Sequence, residues 1–156
     1  MRIVALEVTY ALWSRWKLIT NLKPSSFCYC QHERSIEWRV SNQTLLSGRF
    51  GNLNTLGTLK LCGNNITKPP KAALGALRSL QNLHLCQNQL TQLKKDAFGT
   101  LPVVSRLDLS GNKIFNVSYS AFEGLRQVTD IDLSFNNLSW IPPGAFLGIF
   151  YFIYLK

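Results

Sequence analysis

The sequence predicts an α/β-type solenoid: a curved stack of short coils with a parallel sheet on its concave face and a mostly irregular or short helical convex side. Three observations predict it. Apolar residues return every 24 positions at Leu56, Leu80, Val104 and Val128. After each comes one pattern, as Leu59-x-Leu61-x-x-Asn64-x-Ile66, Leu83-x-Leu85-x-x-Asn88-x-Leu90, Leu107-x-Leu109-x-x-Asn112-x-Ile114 and Ile131-x-Leu133-x-x-Asn136-x-Leu138. A second motif recurs further on, as Ala97-Phe98-Gly99-Thr100-Leu101, Ala121-Phe122-Glu123-Gly124-Leu125 and Ala145-Phe146-Leu147-Gly148-Ile149, with Ala73-Leu74-Gly75-Ala76-Leu77 as a fainter copy. A fixed period of this size marks units that bury their apolar face only by stacking on one another.

Each coil opens with a strand. In Leu59-Lys60-Leu61 apolar and polar residues alternate, the period of a half-buried strand. The leucines turn inward and Lys60 turns to solvent. Strands one period apart pair side by side. The chain then turns back, and Asn64, Asn88, Asn112 and Asn136 sit at that turn between apolar neighbours. A polar side chain in this slot is expected to satisfy backbone groups that the turn leaves unpaired. On the outer half, Leu74, Phe98, Phe122 and Phe146 fall in one apolar column. An aromatic stripe at this spacing reads as core.

The run L-x-x-L-x-L-x-x-N-x-L spelled by these residues resembles the typical 24-residue class of leucine-rich repeats. That class occurs mainly in extracellular proteins such as Toll-like receptors, Slit-like guidance proteins and small proteoglycans. The resemblance covers residues 56–149 and implies a horseshoe segment without catalytic activity. It reaches back more weakly to Leu45, since Leu45, Phe50 and Leu53 lie 48 residues before Leu93, Phe98 and Leu101. The strand half of that earlier repeat is missing from the pattern. Members of the class often carry an N-terminal cap with cysteines spaced C-x(3)-C-x-C-x(6)-C. Cys28 and Cys30 match its middle pair, whereas Pro24 and Glu37 stand at the outer positions, so the resemblance implies a degenerate cap.

The chain divides accordingly into a poorly defined segment 1–27, a degenerate cap with a partial repeat at 28–55, four repeats at 56–149, and the truncated start of a fifth at 150–156. The stretch from Ile3 to Trp13 is interrupted by Glu7 and lacks a clear small-residue cleavage site, so it falls short of a secretory signal. The apolar run Phe146–Leu155 is too short for a membrane helix, which needs about 20 residues. Phe152 and Leu155 instead fall 24 residues after Val128 and Ile131. The expectation is a fragment with a bare apolar edge.

The net charge is +9. It is not evenly placed, since residues 1–55 carry +4 and residues 56–148 also +4, which makes the N-terminal third the denser basic part. Apart from Lys94-Lys95 no basic run forms, so a solvated basic surface is the simplest account. Partners are expected to be a protein ligand or co-receptor, with an acidic glycan second. No nucleic acid and no membrane span are expected. Sequons stand at Asn42, Asn65, Asn116 and Asn137, and they accept glycans if the chain enters the secretory path. The location expected is extracellular, with a cytoplasmic scaffold as the alternative.

Cys62 and Cys86 share one slot on adjacent coils. Stacking puts their backbones about 5 Å apart, within disulfide reach. Parallel side chains rarely meet the dihedral such a bond needs, so two free thiols are expected, which keeps the cytoplasmic alternative open. Cys28-x-Cys30 lacks a second pair or a spaced histidine, and no metal ligand set or cofactor is expected.

Binding in such a fold belongs to the outward positions of the concave strands. The central column is Lys60, His84, Asp108 and Asp132, flanked by Thr58, Asn82, Arg106 and Asp130. A further column holds Gly63, Gln87, Gly111 and Phe135. The candidate ligand-binding residues are therefore Lys60, Asn82, His84, Arg106, Asp108, Asp130, Asp132 and Phe135, with Phe135 as an aromatic anchor beside acidic residues. No catalytic residue is assigned. The two histidines are His32 and His84. A His84–Cys86 pair is conceivable but lacks a pocket and an orienting third group.

Overall fold

The computed structural model describes residues 27–32, 35–39, 53–151 and 154–156. Strands β1 (Phe27–His32), β2 (Ser35–Arg39), β3 (Thr58–Lys60), β4 (Asn82–His84), β6 (Arg106–Asp108), β8 (Asp130–Asp132) and β9 (Tyr154–Leu155) form one seven-stranded sheet in that order. From β2 onward every pairing is parallel. Leu59 pairs with Leu83, Leu83 with Leu107, and Leu107 with Ile131. The fold is thus the parallel-strand solenoid expected of a repeat horseshoe.

Burial follows the alternation in the sequence. Leu59, Leu83, Leu107 and Ile131 are fully buried, while the residues on either side of each remain partly or fully exposed. The ladder of backbone bonds runs on past the strands: the Leu61, Leu85 and Leu109 amides donate to the carbonyls of His84, Asp108 and Asp132, each at 2.8 Å. These leucines are buried as well.

At the turn the asparagines act as expected. Asn88 donates through Nδ2 to the carbonyls of Leu61 (2.8 Å) and Leu85 (3.0 Å), and its Oδ1 accepts the Ile66 amide at 3.1 Å. Asn112 and Asn136 repeat the arrangement one and two coils on. Each amide therefore ties its own coil to the one before it. Across the outer half, the rings of Phe98, Phe122 and Phe146 stack nearly parallel, with centroids 6.0 and 5.1 Å apart.

The convex side holds a four-residue helix, α1 (Lys71–Leu74), and a 3-10 turn at Pro143–Phe146. Two-residue strands β5 (Gln92–Leu93) and β7 (Asn116–Val117) form a separate parallel pair. Among the described residues no helix is long and apolar enough to cross a membrane.

The N-terminal side differs from the sequence reading. The strand half that the 24-residue pattern lacks is present as β2. Ser35, Ile36 and Glu37 pair with Thr58, Leu59 and Lys60, an offset of 23 rather than 24. A one-residue shift takes Ile36 and Trp38 out of the fixed frame, although they alternate with polar residues as the later strands do. β1 pairs antiparallel with β2, with Cys28 opposite Trp38 and Cys30 opposite Ile36. Leu45, Phe50, Asn42 and the apolar stretch from Ile3 to Trp13 lie outside the described residues. At the other end, Tyr154 and Leu155 pair with Asp130 and Ile131, as the 24-residue offset of Leu155 requires. Phe150, Tyr151 and Tyr154 there are exposed, and Phe152 lies outside the described residues.

Gly124 lets the outer halves of adjacent coils approach closely. A Cβ on Gly124 would lie 2.3 Å from the backbone oxygen of Gly99, and its φ is +93°. Both the clash and the left-handed backbone oppose a side chain. Gly124→Ala is expected to cost about 2–3 kcal/mol, combining strain and overpacking. A thermal melt unchanged from the parent would contradict this packing.

Candidate functional site

The strands bring the outward residues together in the columns that the period implies. Lys60, His84, Asp108 and Asp132 are consecutive neighbours across β3, β4, β6 and β8. Thr58, Asn82, Arg106 and Asp130 form the adjacent column in the same registers. The face therefore changes from basic at the first of these coils to acidic at the last. Lys60 and Asp132 stand three strands apart and do not meet.

Several of these side chains are already engaged. Asn82 donates to the Thr58 hydroxyl at 3.1 Å. Oδ1 of Asp108 accepts the Ser110 amide (3.0 Å) and hydroxyl (2.7 Å). Asp132 holds Ser134 in the same way, and Lys156 Nζ is 3.7 Å from its other oxygen. The Thr129 hydroxyl donates to Asp130 at 2.6 Å. The aspartates are thus fixed in direction, each carrying at least one oxygen bound within the chain.

His84 Nδ1 lies 3.4 Å from Asp108 Oδ2. Burial pushes the Asp108 carboxyl up. The hydrogen bonds from His84 and from the Ser110 hydroxyl and amide, with the His84 charge, outweigh that and hold it below its ordinary value of 3.8. Asp108 is consequently a carboxylate at neutral pH.

Phe135 is 84% exposed. Its φ is +56°, and Gly63, Gln87 and Gly111, which occupy the same slot on the earlier coils, also have positive φ. A left-handed backbone is costly for a bulky residue. The coil demands this conformation, and only two of the four residues in the slot are glycine. An aromatic ring is therefore held out to solvent where packing gives it nothing.

The cysteines correct the sequence reading. Cys62 and Cys86 are joined by a disulfide, with their Cα atoms 4.6 Å apart. Both residues follow their strands, β3 and β4, at the start of the turn. The backbone ladder still holds the coils together there, with the Gly63 amide donating to the Cys86 carbonyl at 3.0 Å. Beyond the pleat, however, the side chains are free to turn toward each other. The dihedral restriction of parallel strand side chains does not hold for residues of the turn. The signal was two identical cysteines in one slot. With its sulfur bonded, Cys86 is no nucleophile for His84 in this state.

The sequons differ in what is described. Asn65, Asn116 and Asn137 are exposed, and Asn42 lies outside the described residues. Asn116 belongs to β7, away from the concave sheet.

Comparison with known proteins agrees with this architecture. The family pattern described as Leucine rich repeat matches residues 54–114 and 102–149. Among curated proteins none matches the chain by sequence. A solved structure titled "Crystal structure of TLR13-ssRNA13 complex" is similar at a TM-score of 0.54 and 24% sequence identity. The match covers 71% of this chain and 19% of that one, so the chain spans about a fifth of the receptor chain that it resembles. At this identity the likeness concerns the fold. Matched over more than half its length by the family's own pattern, and built as a stack of parallel strands on an asparagine ladder, the chain belongs to the leucine-rich repeat family.

Proposed function

We propose that the chain is a non-catalytic recognition module that binds a protein ligand or co-receptor through its concave face, in an extracellular or receptor ectodomain setting. The observation that carries this reading is Phe135, an aromatic side chain 84% exposed on a left-handed backbone. Strain retained without a packing return points to use by a partner. Along the same face, Asp108, Asp130 and Asp132 supply oriented acceptors near its coil, and Lys60, Asn82, His84 and Arg106, on the earlier strands, supply donors. An aromatic anchor beside polar groups is the pattern of a binding hot spot. The partner that fits presents a basic patch to the acidic coils and an apolar pocket to Phe135. An acidic glycan would contact the Lys60 end instead.

Cysteine chemistry and sequons support the extracellular setting. A disulfide between Cys62 and Cys86 persists in an oxidising environment and favours the extracellular setting over a cytoplasmic scaffold. Exposed sequons at Asn65, Asn116 and Asn137 are consistent with it. Chain purified from a secretory expression system is expected to gain electrophoretic mobility on glycosidase treatment, with smaller shifts after Asn65→Gln or Asn137→Gln. Identical mobility before and after treatment would count against the secreted reading.

The binding face is tested by placing a photo-crosslinking residue at Phe135 and, separately, at the outer-face Lys95, on cell-surface preparations. Protein adducts from position 135 that disappear in Asp108→Ala/Asp132→Ala chain support the reading. Equal adducts from both positions would move the site elsewhere. The solved neighbour was crystallised with an RNA, so the expectation against a nucleic-acid partner draws no support from that likeness. A partner bound with steep salt dependence and lost on nuclease treatment would replace the protein reading with that one.

A further inference from the structure

On the concave face, Cys62 Sγ, Cys86 Sγ and a carboxylate oxygen of Asp108 lie within 4.8 Å of one another. All three residues are half-buried, so solvent reaches them. They come from three successive coils, and only the stacking brings them together. Asp108 is aimed from two sides: Ser110 holds Oδ1, and His84 Nδ1 stands 3.4 Å from Oδ2. A carboxylate oriented by a histidine beside two sulfurs is more than a cross-link needs.

We propose that this corner is a redox-gated site for a thiophilic divalent cation, zinc by its chemistry. Cys62, Cys86 and Asp108 would be the protein ligands, and His84 the partner that orients the carboxylate. Two thiolates with one carboxylate suit Zn²⁺, which takes sulfur at about 2.3 Å and carboxylate oxygen at about 2.0–2.2 Å in a tetrahedral set. Such a set places its ligand atoms on the order of 3.5 Å apart. The Asp108 oxygen stands within 4.8 Å of both sulfurs. The sulfurs are held to each other by their bond, and once it is cut, Cα atoms 4.6 Å apart keep both close to the carboxylate. A fourth position stays open to water or to a group from a bound partner. Outer partners of this kind fix the direction and basicity of a ligand, which is the part His84 plays.

The gate is the sulfur–sulfur bond. A dithiol delivers two electrons and two protons to the disulfide. The bond breaks, two thiols form, and the dithiol closes to its own disulfide. The cation then displaces both thiol protons to solvent and binds the two thiolates with the Asp108 carboxylate. Oxidised chain cannot bind the ion, because its sulfurs are spent on each other. The proposal requires no particular ligand for the concave face, but it shares Asp108 and His84 with the recognition reading. In the oxidising setting given there the gate stays closed until a dithiol reaches the bond.

The test uses the full 156-residue chain with Cys28→Ser and Cys30→Ser in every arm, so that no other thiol contributes. The chain is reduced with dithiothreitol, freed of reagent without air, and titrated with Co²⁺ as a spectroscopic stand-in for zinc. The expected result is a single equivalent bound, with thiolate-to-cobalt charge-transfer bands that Zn²⁺ abolishes. Oxidised chain shows none, and Cys62→Ser loses them. His84→Ala keeps the bands but weakens Co²⁺ binding about 10- to 100-fold. Circular dichroism follows the fold in each arm. Reduced chain without charge-transfer bands, whether folded or unfolded, overturns the proposal. So do bands that persist unchanged in Cys62→Ser.

Discussion

Phe122→Ala is expected to destabilise the chain by about 3–5 kcal/mol, the range for truncating a fully buried aromatic. The ring is completely buried and lies between Phe98 and Phe146, stacked on both. Its removal empties the middle of the convex column and takes away both ring contacts, which aromatic pairs value at about 0.5–1.5 kcal/mol beyond area. Because each coil touches only its neighbours, the void falls on the junction between coils and cannot be filled from elsewhere. Phe122→Leu should cost far less, about 1.5 kcal/mol, since Leu74 already occupies the same slot two coils earlier. Urea denaturation of the two variants separates them. Equal midpoints for Phe122→Ala and the parent would show that the column is not the convex core.

Asn112→Ala is expected to lose about 3 kcal/mol for a different reason. Its Oδ1 is the acceptor for the Leu90 amide at 3.1 Å, and its Nδ2 donates to the Leu85 and Leu109 carbonyls at 3.0 and 2.8 Å. After truncation those carbonyls still receive Asn88 and Asn136. The amide of the fully buried Leu90 loses its acceptor. An orphaned buried donor costs about 1–3 kcal/mol, and each lost net hydrogen bond about 0.5–1.5 more. Asn136→Ala should cost less, because Asn136 is half-buried and water can take over its bonds. The ranking is the stronger check: a chemical melt in which Asn136→Ala is the weaker variant would contradict the ladder.

These two predictions concern residues that a fixed spacing had already singled out. Leucines at 59, 83 and 107 and asparagines at 64, 88 and 112 are visible because stacking places equivalent positions in equivalent environments. A period in sequence then becomes a column in space. The concave columns were legible for the same reason, and Lys60, His84, Asp108 and Asp132 line up as expected. β2 was not legible. It sits one residue out of frame, and Ser41 stands where the asparagine would fall at that offset. Only the hydrogen-bonded pairing with β3 identifies it. The two-residue strands β5 and β7 are too short to show an alternation of their own.

Chain order alone dictated the number of residues per coil, which side chains face the interior, and which amide bridges one coil to the next. All of these depend on periodicity, and periodicity is written along one dimension. The Cys62–Cys86 bond, the approach of its two sulfurs to Asp108, and the left-handed backbone that pushes Phe135 into solvent were decided in three dimensions. Each depends on how a turn directs side chains once the strand has ended, and that direction comes from hydrogen bonds between coils rather than from the residues within one.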